Sequence, residues 1–98
     1  MLLEEFFNYQ YHQFWDWFDR GDTRDNVKGY LIQDFERFKK ENYKLWYYLL
    51  FKKRVEKKLF VNFLNSDYPR IKYWFKKETG LWNRLKAIII KDYDEFIQ

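Results

Sequence analysis

Cysteine is absent from this chain of 98 residues, proline, serine and histidine occur once each, and glycine occurs three times. Each scarcity excludes something. Without thiols there is no disulfide scaffold, no cysteine-based zinc site and no thiol nucleophile. Three isolated glycines, Gly21, Gly29 and Gly80, cannot build a P-loop or a dinucleotide-binding fingerprint. The longest uninterrupted apolar run, Leu45 to Phe51, is far shorter than the roughly 20 residues that cross a bilayer. No basic leader followed by an apolar stretch opens the chain, so nothing marks it for export. The expectation is a single domain over residues 1–98, soluble and cytoplasmic, with no membrane partner.

What the chain has in excess is aromatic surface. Five Trp, nine Tyr and eleven Phe make up 26% of the residues. At roughly 200 Å² each these rings carry on the order of 5,000 Å² that would prefer to leave water. A chain of this mass hides roughly 12,000 Å² on folding, for which the other apolar residues and the backbone compete. Several rings are therefore expected at the surface, where a cluster of them marks a contact or self-association face. The competing expectation is an oversized core that takes most of them in.

Apolar spacing reads mainly as helix. Leu3, Phe7, Tyr11, Phe14 and Phe18 form one stripe, with Glu5, Asn8, His12, Asp16 and Asp19 opposite, which predicts a continuous first helix ended by Gly21. Phe6, Tyr9, Trp15 and Trp17 fill its flanks, and a helix apolar around most of its circumference is central or half-covered by a partner. Asp22 or Thr23 suits the N-cap of a second helix striped by Val27, Leu31, Phe35 and Phe38, with Lys39 and Lys40 at its C-terminal end. Residues 43–64 fit a long helix; the alternative is a hairpin over residues 45–64, giving an α+β fold. Asn65-Ser66-Asp67-Tyr68-Pro69 is a stop and restart with Asp67 as cap. A short helix through Ile71, Trp74 and Phe75 then stops at Gly80, and the last runs through Leu85, Ile89 and Phe96. The predicted fold is all-α, a compact bundle of four to five helices.

The formal net charge of +4 conceals a partition. Residues 1–36 hold eight acids and three bases, residues 37–91 hold 16 bases and four acids, and residues 92–98 hold three acids. A cationic middle can steer toward phosphates or an acidic protein surface. Alternatively, the acidic ends fold back and neutralise it.

Candidate chemistry is sparse. His12 and Ser66 are the only residues of their kind, and without a glycine-shaped elbow they form no triad signal. His12 is expected on the polar stripe of the first helix. The clusters Asp22/Asp25 and Asp92/Asp94/Glu95 lack EF-hand spacing, so no metal or cofactor is expected. Glu56-Lys57-Lys58 with Asp34 upstream formally matches part of a metal-dependent nuclease core, but that chemistry needs carboxylates converging from neighbouring strands. An enzyme is not expected.

Phe75-Lys76-Lys77-Glu78-Thr79-Gly80 resembles the segment that ends the support helix in the second helix-turn-helix of AraC-type transcription activators. The resemblance implies a turn at Gly80 and a DNA-reading helix after it. It covers six residues, and the chain departs from the family around them. Leu81-Trp82-Asn83 replaces a small capping residue and Pro, and Lys76 and Lys86 stand where the motif wants small and apolar residues. In general composition, rich in Lys, Asn, Tyr and Phe, the chain is similar to small accessory proteins of phages, archaeal viruses and plasmids, including inhibitors of host defence such as anti-CRISPR proteins.

The functional expectation is a non-catalytic protein that occupies the surface of another protein or protein–nucleic-acid complex. Trp15 and Trp17 would supply anchor rings. Lys52, Lys53, Arg54, Lys57, Lys58, Lys72, Lys76 and Lys77 would steer association. The alternative is a DNA- or RNA-binding module, since bases and rings interleave in Lys44-Leu45-Trp46-Tyr47-Tyr48 and Lys72-Tyr73-Trp74-Phe75-Lys76-Lys77. A third reading is a homodimer whose rings bury one another.

Overall fold

The computed structural model describes residues 2–18, 21–42, 53–75 and 79–98, and of residues 2, 53–56 and 79 the backbone only. Among the described residues the fold is all-α with no strand. The described elements are α1 (Leu2–Asn8), a 3-10 helix (Gln13–Trp17), α2 (Gly21–Glu41), α3 (Lys53–Asn65), a second 3-10 helix (Arg70–Phe75) and α4 (Thr79–Ile97), in that order.

The expected first helix does not run to Phe18. It breaks after Asn8 because the Phe6 carbonyl, which would accept the amide of Gln10 in a continuing helix, is taken by two other donors. The Tyr9 amide reaches it at 3.2 Å, and His12 Nε2 sits 2.7 Å from it. His12 is thereby drawn into the core rather than left on a polar stripe. The broken segment is then stapled: Trp15 Nε1 donates to the Tyr9 carbonyl at 2.9 Å, and the Phe14 amide donates to Asp92 Oδ2 at 2.9 Å. Arg24 Nε bridges the Trp15 and Phe18 carbonyls from α2.

Gly21 and Gly80 do not stop helices. Gly21 opens α2 and Gly80 is the second residue of α4. Among the described residues no glycine has positive φ, so neither adopts the left-handed conformation that makes glycine a C-terminal terminator. Asp22 consequently lies in the first turn of α2 rather than before it, where its charge still faces the positive helix end. At the other end the Asn42 side chain and amide both donate to the Phe38 carbonyl, closing the last turn.

Val27, Leu31, Phe35 and Phe38 are buried along α2 as their spacing predicts. On α3, Leu59, Phe60, Phe63 and Leu64 are buried. Its helical span covers the second half of the alternative hairpin, and the first half lies outside the described residues. At the stop, Ser66 Oγ donates to the Phe63 carbonyl at 2.6 Å and accepts the Tyr68 amide at 3.2 Å. Asp67 makes no cap there; its carboxylate pairs with Lys72 Nζ at 2.5 Å.

Trp82, Leu85, Ile89 and Tyr93 project from α4 into one core shared with α1, α2, α3 and both 3-10 helices. Phe6 is its hub, with the rings of Phe7, His12, Phe14, Phe60, Tyr93 and Phe96 centred within 5.8 Å. The Gln13–Trp17 helix packs on α4, and the Arg70–Phe75 helix packs on α2 and α4. The radius of gyration, 13.1 Å, is that of a folded chain of this length.

Candidate functional site

Most rings are buried, yet four stay out among the described residues: Tyr9, Tyr11, Tyr73 and Trp74. Tyr73 and Trp74 belong to the Arg70–Phe75 helix, and Tyr9 and Tyr11 lie just before the Gln13–Trp17 helix.

The Arg70–Phe75 helix borders a cationic cleft, which Tyr73 lines and Trp74 does not. Arg70 fixes the Arg70–Phe75 helix to α2. Its Nε donates to Asp34 Oδ1 at 2.9 Å, its amide to Oδ2 at 2.8 Å, and its Nη2 to Gln33 Oε1 at 2.7 Å. The guanidinium also lies 4.4 Å from the centre of the Tyr30 ring. Asp34 is only 1% exposed, so both its oxygens are committed to this anchor. Ile71 enters the core, and the next two residues, Tyr73 and Trp74, are left 52% and 50% exposed. Trp74 packs edge to face with Phe18 at 6.5 Å and Tyr30 at 6.0 Å. Beside Tyr73 opens a cleft of about 490 Å³. Phe75 and Trp82 line it, stacked on one another at 6.3 Å. Lys72 and Lys86 line it too, as do Asn65 and Asn83. Lys86 Nζ donates to Asn65 Oδ1 at 2.8 Å, and Lys72 reaches Asp67. The Asp67 carboxyl is held below its ordinary pKa by that hydrogen bond and charge.

The second pair belongs to an acidic groove of about 430 Å³ between the Tyr9–Gln13 turn and the end of α4. Tyr9, Tyr11, Phe96 and His12 supply its rings, and Asp92 and Glu95 its carboxylates. Burial pushes the His12 imidazole below its ordinary pKa, against the opposing pull of the Phe6 carbonyl, Asp92 and Glu95. With Nε2–H directed at the Phe6 carbonyl, the neutral ring is the form this environment favours.

Of the residues expected to bind a partner, Lys72 lies in the cationic cleft. Lys58 is exposed on α3, and Lys57 pairs with Asp94 at 2.8 Å. That pair is a local instance of the acidic tail folding back on the cationic middle. Trp15 cannot be a surface anchor. It is 4% exposed, its ring packed on Phe14 and its indole hydrogen bond spent on Tyr9. Trp17 is half-buried, covered by Phe75 and by the Arg84 guanidinium. Lys53 and Arg54 are in the first turn of α3 with side chains outside the described residues; Lys52, Lys76 and Lys77 lie outside them altogether.

Tyr73 and Trp74 stood in an interleaved run, and three consecutive rings at 73–75 already meant that one element could not bury them all. Tyr9 and Tyr11 lie after the end of α1, in a turn rather than in the continuous helix that the spacing predicts. Among the described residues no group of three or more His, Asp or Glu could hold a metal, and no helix is long and apolar enough to cross a membrane. The α4 helix runs through Gly80, so the turn implied by the AraC-type resemblance is not at that residue. Comparison with protein-family models, curated proteins and solved structures gives no match.

Proposed function

We propose that the protein is a non-catalytic binding protein that occupies an acidic or phosphate-bearing surface of another protein or protein–nucleic-acid complex, using the cleft lined by Tyr73 together with the neighbouring exposed ring of Trp74. One observation carries this reading: two half-exposed rings stand on a short helix anchored by an ion pair to the buried Asp34, and Tyr73 shares its cleft with Lys72 and Lys86. Anchored rings enter a partner with little further loss of freedom. The cations raise the encounter rate and select the partner's charge. Blocking such a surface is an inhibitor's mode of action, in the host cell's cytoplasm if the chain comes from a mobile element such as a phage. The finer assignment, to a host defence system such as CRISPR, rests on composition.

The test is affinity capture of the tagged protein from its native host, with and without nuclease, beside Trp74→Ala and Tyr73→Ala variants. A partner retained after nuclease and lost with either variant is expected. Capture unchanged by both variants would overturn the assignment of the face. The same pair of rings favours a second reading, direct binding of single-stranded nucleic acid, because adjacent rings flanked by cations can stack on unpaired bases. A generic oligonucleotide that binds at low salt and is released steeply as salt rises selects that reading over the first. A homodimer through the same rings would show in sedimentation as a dimer abolished by Trp74→Ala.

A further inference from the structure

The acidic groove is a separate site on a different surface, and its chemistry is the inverse of the cationic cleft's. Its rings pack on one another along the groove. The Tyr9 and Tyr11 centroids lie 5.5 Å apart with planes inclined by 65°. Tyr9 and Phe96 are also 5.5 Å apart, inclined by 52°. All three line the same cavity of about 430 Å³ as Asp92 and Glu95. A cation is attracted by a ring face when it sits within roughly 6 Å of the centroid, so a ligand lodged among inclined rings at these spacings can meet more than one face. We propose that this groove binds a methylated ammonium group, with Tyr9, Tyr11 and Phe96 as its aromatic walls and Glu95 and Asp92 supplying the opposite charge.

Three features of the groove favour that ligand class. First, the turn that carries Tyr9 and Tyr11 is fixed by the bonds from Trp15 to the Tyr9 carbonyl and from the Phe14 amide to Asp92. The backbone that carries the walls therefore does not have to be ordered by the ligand. Second, the one basic side chain in the lining, His12, is held toward its neutral form by burial and does not cancel the carboxylates. Third, the walls are hydrocarbon while the rim is charged. A compact, strongly hydrated ammonium loses more solvation entering such a site than a methylated one, whose charge is spread over methyl groups that also pack against rings.

The ammonium could be carried by a small metabolite or by a modified lysine of a protein. Nuclear magnetic resonance titrations with choline and with a trimethyllysine peptide separate these sources, with tert-butanol as the neutral isostere and sodium chloride at matched ionic strength. Saturable shifts at Tyr9, Tyr11, Phe96 and His12 with either methylammonium probe, and none with the two controls, are expected. Tyr11 is 82% exposed, so Tyr11→Ala leaves the fold intact. It should weaken binding about two- to fivefold, the equivalent of one exposed cation–π contact. Glu95→Gln should weaken it too, whereas Trp74→Ala on the Arg70–Phe75 helix should not. Equal shifts with tert-butanol, no saturable shifts with either cation, or binding unchanged by Tyr11→Ala and Glu95→Gln together would overturn the proposal.

Discussion

The cationic cleft and the acidic groove solve one structural problem with different chemistry. Each is built at a 3-10 helix too short to be stable by itself, with exposed rings on that helix or just before it, and each is held by an aspartate on a long helix. In the cationic cleft the aspartate is Asp34 of α2, and its partner is a charged guanidinium that adds a backbone bond. In the acidic groove it is Asp92 of α4, and its partner is a neutral amide, with His12 and Trp15 completing the staple through carbonyls. Buried carboxylates thus work here as anchors for irregular backbone, and the rims carry the charge that a ligand would meet.

Breaking the two staples separately should expose the difference. Arg70→Ala removes the guanidinium from a carboxylate that is 1% exposed, leaving it only the residue-70 amide. The expected loss is about 2–4 kcal/mol in urea unfolding, since an uncompensated buried charge costs more than a lost neutral bond. Arg70→Lys should recover only part of it, because an ammonium cannot reproduce the fork geometry. Asp92→Ala instead leaves one neutral amide unsatisfied and should cost less, about 1–3 kcal/mol. Equal losses would mean that the charge on Arg70 adds nothing to its anchor.

The two staples should also part company with pH. An unfolded histidine takes up its proton near the ordinary value of 6.5, whereas burial holds His12 lower in the fold. As pH falls through 6.5 the unfolded chain therefore binds a proton that the folded chain resists, and stability declines until pH passes below the folded value. The groups facing His12 are the Phe6 carbonyl on α1 and Asp92 and Glu95 on α4; all three act in the opposite sense and are outweighed by burial. Hydrogen exchange should show the Tyr9–Trp15 segment loosening in this window while the Arg70–Phe75 helix holds. His12→Gln should flatten the slope. A slope unchanged by that substitution would assign the titration elsewhere.

That contrast also marks what could be read from the residues. The stripes of α2 and α4 were legible because each is periodic and self-contained, and the stop at Asn65–Pro69 because its turn residues are adjacent. The break at Tyr9–His12 was not, since one of its staples, Asp92, is 78 residues away from Phe14. Without that bond the apolar spacing from Leu3 to Phe18 describes a perfectly regular helix. The burial of His12 and Trp15 and the exposure of Tyr9 and Tyr11 follow from that break, which the bonds to the Phe6 carbonyl make locally and the Asp92 bond holds from α4. The cationic cleft was half visible. Lys72, Tyr73 and Trp74 stand together in the chain, but Lys86 and Asn65 join them only through packing.

The smallest expected effect concerns whether the two charged regions hold each other. Lys57 on α3 and Asp94 on α4 form a direct ion pair between the cationic middle and the acidic tail, with side chains 44% and 37% exposed. At that exposure water and salt screen the attraction, and ordering two side chains offsets part of what remains. Lys57→Ala should therefore change stability by only about 0.2–1 kcal/mol, with the difference shrinking as sodium chloride is added. It should leave the groove's response to methylammonium probes unaltered, because the groove's own carboxylates and rings are untouched. A larger loss, or one that persists in high salt, would mean that the acidic end and the cationic middle are mutually supporting parts of one electrostatic arrangement, and the two clefts could not then be treated as independent sites.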